Sequence, residues 1–176
     1  VVHDTAREEG AHIVVAHSVA SIIVSLAARR DGSPIDTVFS LEGNLTAEDA
    51  YFSGTAADYP SADEFKTAFL ARLDKMASAQ PVVVRYRDMV AKADPQALWE
   101  LGCDARRFSE QFVPGDVLGE VENVIYLYNP ANCPETTIDW LKTNAMKRIV
   151  MENATHWKSV DQPEKLSGKI LEALER

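Results

Sequence analysis

His12-Ile13-Val14-Val15-Ala16-His17-Ser18-Val19-Ala20-Ser21-Ile22-Ile23-Val24-Ser25-Leu26-Ala27-Ala28 decides the fold. Residues 12–16 form a short, mostly apolar run of the kind that makes a fully buried parallel strand. Val19 to Ala28 is apolar on nearly every face, which predicts a buried helix. Arg29-Arg30 and the breaker Asp31-Gly32-Ser33-Pro34 close it. A buried strand that hands over directly to a buried helix leaves only Ala16 to Ala20 for the turn. Ser18 occupies the sharp bend, where its hydroxyl stands exposed above the sheet. Strand and helix can approach only if the residues two positions either side are small, and alanines stand there in place of the usual glycines. The N–H of Val19 and the positive end of the helix dipole aim at the same point, where an oxyanion could be held. A serine is equally at home as the N-cap of this helix. The motif alone leaves both roles open.

Outward from that turn, Thr37-Val38-Phe39-Ser40-Leu41 reads as a second strand, ending at Glu42-Gly43-Asn44. From residue 47 to 119 the pattern changes to helices separated by Pro and Gly. Ser61 with Glu64 is a capping box opening a helix over 62–77, and further helices are predicted over 83–93, 96–101 and 105–112. Strand character returns at 124–128, followed by a helix over 134–144, a strand over 148–151 and a last helix over 162–176. Upstream, residues 1–10 read as the end of an amphipathic helix. Strand-helix alternation on both sides of a helical insert predicts an α/β fold, a mostly parallel sheet with helices on both faces. The expected organisation is residues 1–46 and 120–176 as the α/β core, with 47–119 as a cap or lid too long to be a loop.

The net charge of −9 argues against nucleic acid and anionic membrane surfaces as partners. No apolar run approaches the ~20 residues of a membrane span. Cys103 and Cys133 have no metal-ligand spacing, so free thiols in a reducing, cytoplasmic setting are expected. Neither a metal spacing nor a phosphate-cradling glycine loop is visible, and no cofactor is expected.

A serine nucleophile needs a base. His156, in Asn153-Ala154-Thr155-His156-Trp157, follows the last predicted strand and so falls on the same C-terminal edge of the sheet as Ser18. His3 and His12 read as structural or surface residues. His17 and Trp157 are expected to line the substrate site.

The order strand, A-H-S-V-A, helix, strand ending in E-G-N, helical stretch, strand ending in N-P-A-N-C-P-E, strand, N-A-T-H-W, D-Q-P-E and final helix resembles the second half of the α/β-hydrolase fold family. The resemblance covers essentially the whole chain and is carried by order and spacing more than by any one motif. It implies Ser18 as nucleophile, His156 as base and Val19 N–H as one oxyanion donor. The usual position of the third member, an acid, aligns with Asn132, and an amide cannot support an imidazolium as a carboxylate does. A minority of the family carries the acid after the preceding strand, which here is Glu42.

The resemblance therefore implies a serine hydrolase acting on an ester or related acyl bond through Ser18, His156 and Glu42. Two alternatives stay open: a non-catalytic binding module of the same fold, or cleavage of a C–C, thioester or lactone bond. The family's strands that precede the nucleophile strand have no counterpart in this chain. An N-terminal half of the fold, as a separate chain or missing segment, or self-association, is the expected partner besides a small acyl substrate.

Overall fold

The structure is a computed structural model that describes residues 1–175. Two compact units make up the chain, one of Val1–Asp49 with Ser109–Arg176 and the other of Ala50–Phe108.

In the first unit four strands, β1 (Ile13–His17), β2 (Thr37–Leu41), β3 (Asn123–Tyr128) and β4 (Lys147–Val150), form one sheet in the order β1-β2-β3-β4. All neighbouring pairs are parallel. The helices of this unit are α1 (Val2–Glu9), α2 (Ala20–Ala28), α6 (Pro114–Gly119), α7 (Glu135–Thr143), α8 (Lys158–Asp161) and α9 (Pro163–Leu174). The second unit contains α3 (Ala62–Ala79), α4 (Val83–Lys92) and most of α5 (Pro95–Gln111), after 3₁₀ turns between Ala47 and Asp58.

Side chains alternate across a strand, so register decides which residues share a face. On one face Ala16, Val38, Val124 and Tyr126 pack with Ala6, Val24, Ala27, Leu118 and Leu141, which come from α1, α2, α6 and α7. On the other, Phe39, Leu41, Ile125 and Leu127 pack with Leu166, Ile170 and Ala173 of α9. Helices thus cover both faces, as the alternation in the sequence required.

The coverage stops short of β1. Val15 is aligned with Phe39, yet Val15 is 49% and Ile13 46% exposed, against 0% for Phe39. The fully buried strand expected over 12–16 is therefore an edge strand, apolar on a face that no described residue covers. Ile23 and Leu26 of α2 are exposed as well.

Elsewhere the predicted elements fall within a few residues of the observed ones. The two helices expected over 96–101 and 105–112 are one, α5. Gly102 lies inside it, where a Cβ would come within 2.3 Å of the Ser53 carbonyl oxygen and 2.6 Å of Ala56 Cβ. That glycine serves close approach within the second unit, and the helix continues through it. Helix α6, opened by Pro114 at its first turn, was not expected. The final helix, expected to reach Arg176, ends at Leu174; Arg176 lies outside the described residues. No described helix is long and apolar enough to cross a membrane.

Candidate active site

Parallel strands end on one edge, and there the backbone ladder runs on for one more residue. Ser18 N–H donates to the Leu41 carbonyl at 3.0 Å, Glu42 N–H to Leu127 at 3.0 Å, and Met151 N–H to Tyr128 at 2.7 Å. The ladder carries the segments after β1, β2, β3 and β4 to the same C-terminal edge, where side chains from different strands can converge.

Among the described residues, three non-glycine residues have positive φ: Ser18 at 56°, Glu42 at 43° and Asn153 at 61°. An L-residue there costs roughly 1–2 kcal/mol and persists only where the surroundings impose it. At Ser18 the cause is the abrupt change from strand to helix: its carbonyl already accepts from Ser21 N–H at 3.0 Å, while its own N–H remains in the sheet. At Glu42 the cause is the tight packing of Gly43. A Cβ on Gly43 would fall 1.9 Å from Ser21 Oγ and 2.4 Å from Ser40 Oγ, and those two hydroxyls share a buried hydrogen bond of 2.9 Å. The turn after β2 is pressed against α2, and the Glu42 side chain is thrown back over the sheet edge.

There the Glu42 carboxylate, only 4% exposed, is surrounded by donors. His156 Nδ1 donates to Oε2 at 2.8 Å. Lys158 Nζ lies 2.8 Å from Oε1, Asn129 N–H donates to Oε1 at 2.9 Å, and Asn132 Nδ2 at 3.1 Å. Burial by itself would raise this carboxyl; the His156 hydrogen bond and the Lys158 charge outweigh it and hold the group down at about 2. Glu42 is an ionised, fully satisfied carboxylate.

The His156 loop is fixed at three points. The Ala154 carbonyl accepts from Asn129 Nδ2 at 2.8 Å and Asn132 Nδ2 at 3.0 Å. Thr155 N–H donates to Asp161 Oδ2 at 2.7 Å. The His156 carbonyl accepts from His17 Nε2 at 2.9 Å. With Nδ1 facing Glu42, the tautomer leaves His156 Nε2 as the acceptor, and no described residue hydrogen-bonds to it. The Ser18 hydroxyl and the Val19 N–H are likewise without a hydrogen-bond partner among the described residues. The imidazole is 20% exposed.

Of the residues expected from sequence, Glu42 and His156 are in direct contact, and Ser18 follows a histidine whose ring lies 4.6 Å from that of His156. His17 contributes through that backbone hydrogen bond. Burial, helped by the neighbouring His156, pushes its imidazole down to about 4, so it is a neutral donor. Trp157 is 8% exposed and packs edge-on against His156 at 5.4 Å. Asn132, in the position where an acid was sought, donates through Nδ2 to the Glu42 carboxylate. Lys158 and Asn129 escaped the sequence reading. Asn129 acts partly through its backbone, which no residue type announces, and Lys158 looks like an ordinary surface lysine of a short helix.

Cys133 donates to the Asn129 carbonyl at 3.6 Å; burial and the nearby Glu42 charge push its thiol up to about 12. No group of three or more His, Cys, Asp or Glu among the described residues could hold a metal ion. A groove of about 430 Å³ lined by Asp116, Glu120, Trp140 and Lys147 opens at the N-terminal ends of β3 and β4. It lies at the opposite edge from Ser18 and holds no comparable set of acid and base.

No known family model matches the sequence, and no curated protein matches it. Solved structures do. A hydrolase from Pseudomonas aeruginosa is 15% identical with a TM-score of 0.66, the match covering 99% of this chain and 69% of that one. A thermophilic esterase from Thermogutta terrifontis is 16% identical with a TM-score of 0.67, again over 99% and 69%. A 2-hydroxy-6-oxo-6-phenylhexa-2,4-dienoate hydrolase from Rhodococcus is 12% identical with a TM-score of 0.59, over 97% and 67%. The chain has the α/β-hydrolase fold over part of that fold's length.

Proposed function

We propose that the protein is a serine hydrolase of ester or related acyl bonds, with Ser18 as nucleophile, His156 as general base and Glu42 as the acid that orients it. One observation carries the proposal: a serine held at φ 56° between strand and helix, on the edge where His156 Nδ1 donates to a buried carboxylate at 2.8 Å. A helix-capping serine has no need of the left-handed backbone. The hydrolase and esterase among proteins of similar fold support the same reading.

In the reaction, Ser18 Oγ attacks the carbonyl carbon while His156 Nε2 takes the hydroxyl proton. The negative charge on the carbonyl oxygen faces Val19 N–H at the start of α2. Collapse of the tetrahedral species expels the alcohol, which takes the proton from His156. Water then attacks the acyl-enzyme with His156 again as base, releasing the acid and regenerating Ser18. Glu42 keeps the proton of His156 on Nδ1 and supports the imidazolium.

A second oxyanion donor and the covering of β1 are proposed to come from a segment outside the described residues that pairs with the open edge of β1. Exposed Ile13 and Val15 support this. The helices of the second unit are proposed to be the cap expected over residues 47–119. Their aromatic residues form the unit's own core: Phe69 packs against Phe52 and Phe65 at 4.9 and 5.2 Å, and Trp99 Nε1 donates to the Ala56 and Tyr59 carbonyls.

A fluorophosphonate probe tests the proposal, since it needs an activated serine and no particular substrate. Labelling at Ser18 that is lost in Ser18→Ala and His156→Ala is the expected result. Folded protein that is not labelled, alone or assembled with the segment that covers β1, refutes it.

A further inference from the structure

Among the described lysines, Lys158 alone has its ammonium fully enclosed, at 0% exposure. Burying an ammonium is costly unless a counter-charge and hydrogen bonds meet it. Both are present: Glu42 Oε1 at 2.8 Å and the His156 carbonyl at 3.5 Å. The two partners are the acid of the proposed triad and the backbone of its base. Lys158 therefore grips both sides of the His156–Glu42 hydrogen bond while touching neither Ser18 nor the exposed edge of the imidazole.

We propose that Lys158 is a positioning residue for the proposed hydrolysis, acting through Glu42 to keep the base of Ser18 oriented and unprotonated. This rests on the reading of Ser18, His156 and Glu42 as nucleophile, base and acid. The geometry has two physical effects. First, the carboxylate has two oxygens and two cationic or potentially cationic partners. With Lys158 fixed on Oε1, Oε2 is left for His156 Nδ1, so the carboxylate cannot rotate to offer the imidazole a poorer angle. Second, an unaccompanied buried carboxylate would favour a proton on the adjacent imidazole, and an imidazolium cannot accept the serine proton. The Lys158 ammonium balances that charge, so the neutral base survives to lower pH.

The other groups facing His156 do not supply this balance. From β1, His17 is neutral above about 4. From the segment after β3 come the amides of Asn129 and Asn132, and Cys133, whose thiol ionises only near 12. Trp157 adds an uncharged indole, and Asp161 of α8 is engaged at Thr155 N–H. Among these groups Glu42 and Lys158 carry the fixed opposite charges in contact with the His156 residue.

The test is the rate of Ser18 labelling by a fluorophosphonate as a function of pH, in the wild type and in Lys158→Met, Lys158→Gln and Lys158→Arg. Removal of a unit charge this close to the imidazole should move the acid limb of the profile upward by about one to two pH units. Labelling at a pH on that limb should then fall by about tenfold or more in the Met and Gln variants. Lys158→Arg keeps the charge and should keep the wild-type limb, even if its bulk lowers the plateau. A merely structural lysine would change the plateau and leave the limb in place. The proposal is overturned if Met or Gln variants keep the wild-type limb, or if Arg shifts it as far as Met does. It also falls if neither uncharged variant folds by circular dichroism, which would make Lys158 a folding residue. If folded wild-type protein, alone or assembled with the segment that covers β1, is not labelled at Ser18, the hydrolase reading itself fails, an outcome distinct from a labelled protein with an unmoved limb.

Discussion

Glu42→Gln changes one oxygen to an amide nitrogen and leaves the shape of the side chain intact, so its consequences are almost purely electrostatic. The carboxylate faces four donors: His156 Nδ1, Lys158 Nζ, Asn129 N–H and Asn132 Nδ2. A glutamine offers one acceptor oxygen and directs an NH₂ at the remaining donors. Either His156 or Lys158 must then meet another N–H, and the ammonium loses its counter-charge in a site where it has 0% exposure. Breaking a buried pair from one side costs about 3–5 kcal/mol. A second route reaches a similar figure. A carboxyl brought from 4.5 down to about 2 contributes about 3 kcal/mol to stability at neutral pH. That contribution is complete above 4.5, the value in the unfolded chain, and is lost as pH falls through about 2. Urea unfolding followed by far-ultraviolet circular dichroism measures the difference. With a slope of about 2 kcal/mol per molar urea, Glu42→Gln should lower the midpoint by about 1.5 M at neutral pH. The gap should narrow as pH falls from 4.5 toward 2, because the wild type loses there the stabilisation that the variant never had. Glu42→Gln with Lys158→Met should recover at least half of the loss, since the stranded ammonium is gone. A cost below about 1 kcal/mol, or a gap independent of acidification, refutes the buried ion pair.

Ser18→Gly should abolish labelling and yet be slightly more stable than the wild type. Glycine relieves the left-handed backbone but adds chain entropy, for a net gain of about 0.5 kcal/mol in thermal or urea unfolding; Ser18→Ala keeps the strain and should not show the gain. Asn132→Asp places a carboxylate about 3 Å from Glu42 Oε1 and turns a donor to the Ala154 carbonyl into an acceptor. It should destabilise by about 2 kcal/mol at neutral pH and recover partly on acidification, as the two carboxyls come to share a proton. Gly43→Ala drives a methyl group into Ser21 Oγ and should cost about 2 kcal/mol or more, with slower Ser18 labelling because Glu42 is displaced.

The architecture was legible because apolar runs at 12–16, 37–41 and 124–128 alternate with helical periods, and a parallel sheet is implied by that order alone. That Ser18, Glu42 and His156 gather at one end of the sheet was legible because each lies in a segment that follows a strand; Glu42 was singled out as a candidate acid by the resemblance to the α/β-hydrolase family. Lys158 was not. Its surroundings are made by Glu42 and the His156 carbonyl, which the fold brings together from distant parts of the chain, and no local pattern marks a lysine for burial. Gly102 misled for a related reason: a glycine that ends a helix and one that admits a neighbouring backbone look alike in sequence. The burial of β1 was overstated because an apolar strand reads as buried whether or not its cover belongs to the same chain.

The open edge of β1 also bears on what stability means for this protein. Its outer backbone groups have no neighbouring strand among the described residues, and Ile13 and Val15 stand half in water. Any molecule that adds a strand there binds the folded form and not the unfolded one. Its concentration therefore enters the folding equilibrium by mass action, a hundredfold excess over the dissociation constant contributing about 2.7 kcal/mol. In the presence of such a molecule the melting temperature of this chain is a property of the solution, and comparisons between variants then hold only at matched concentrations of both.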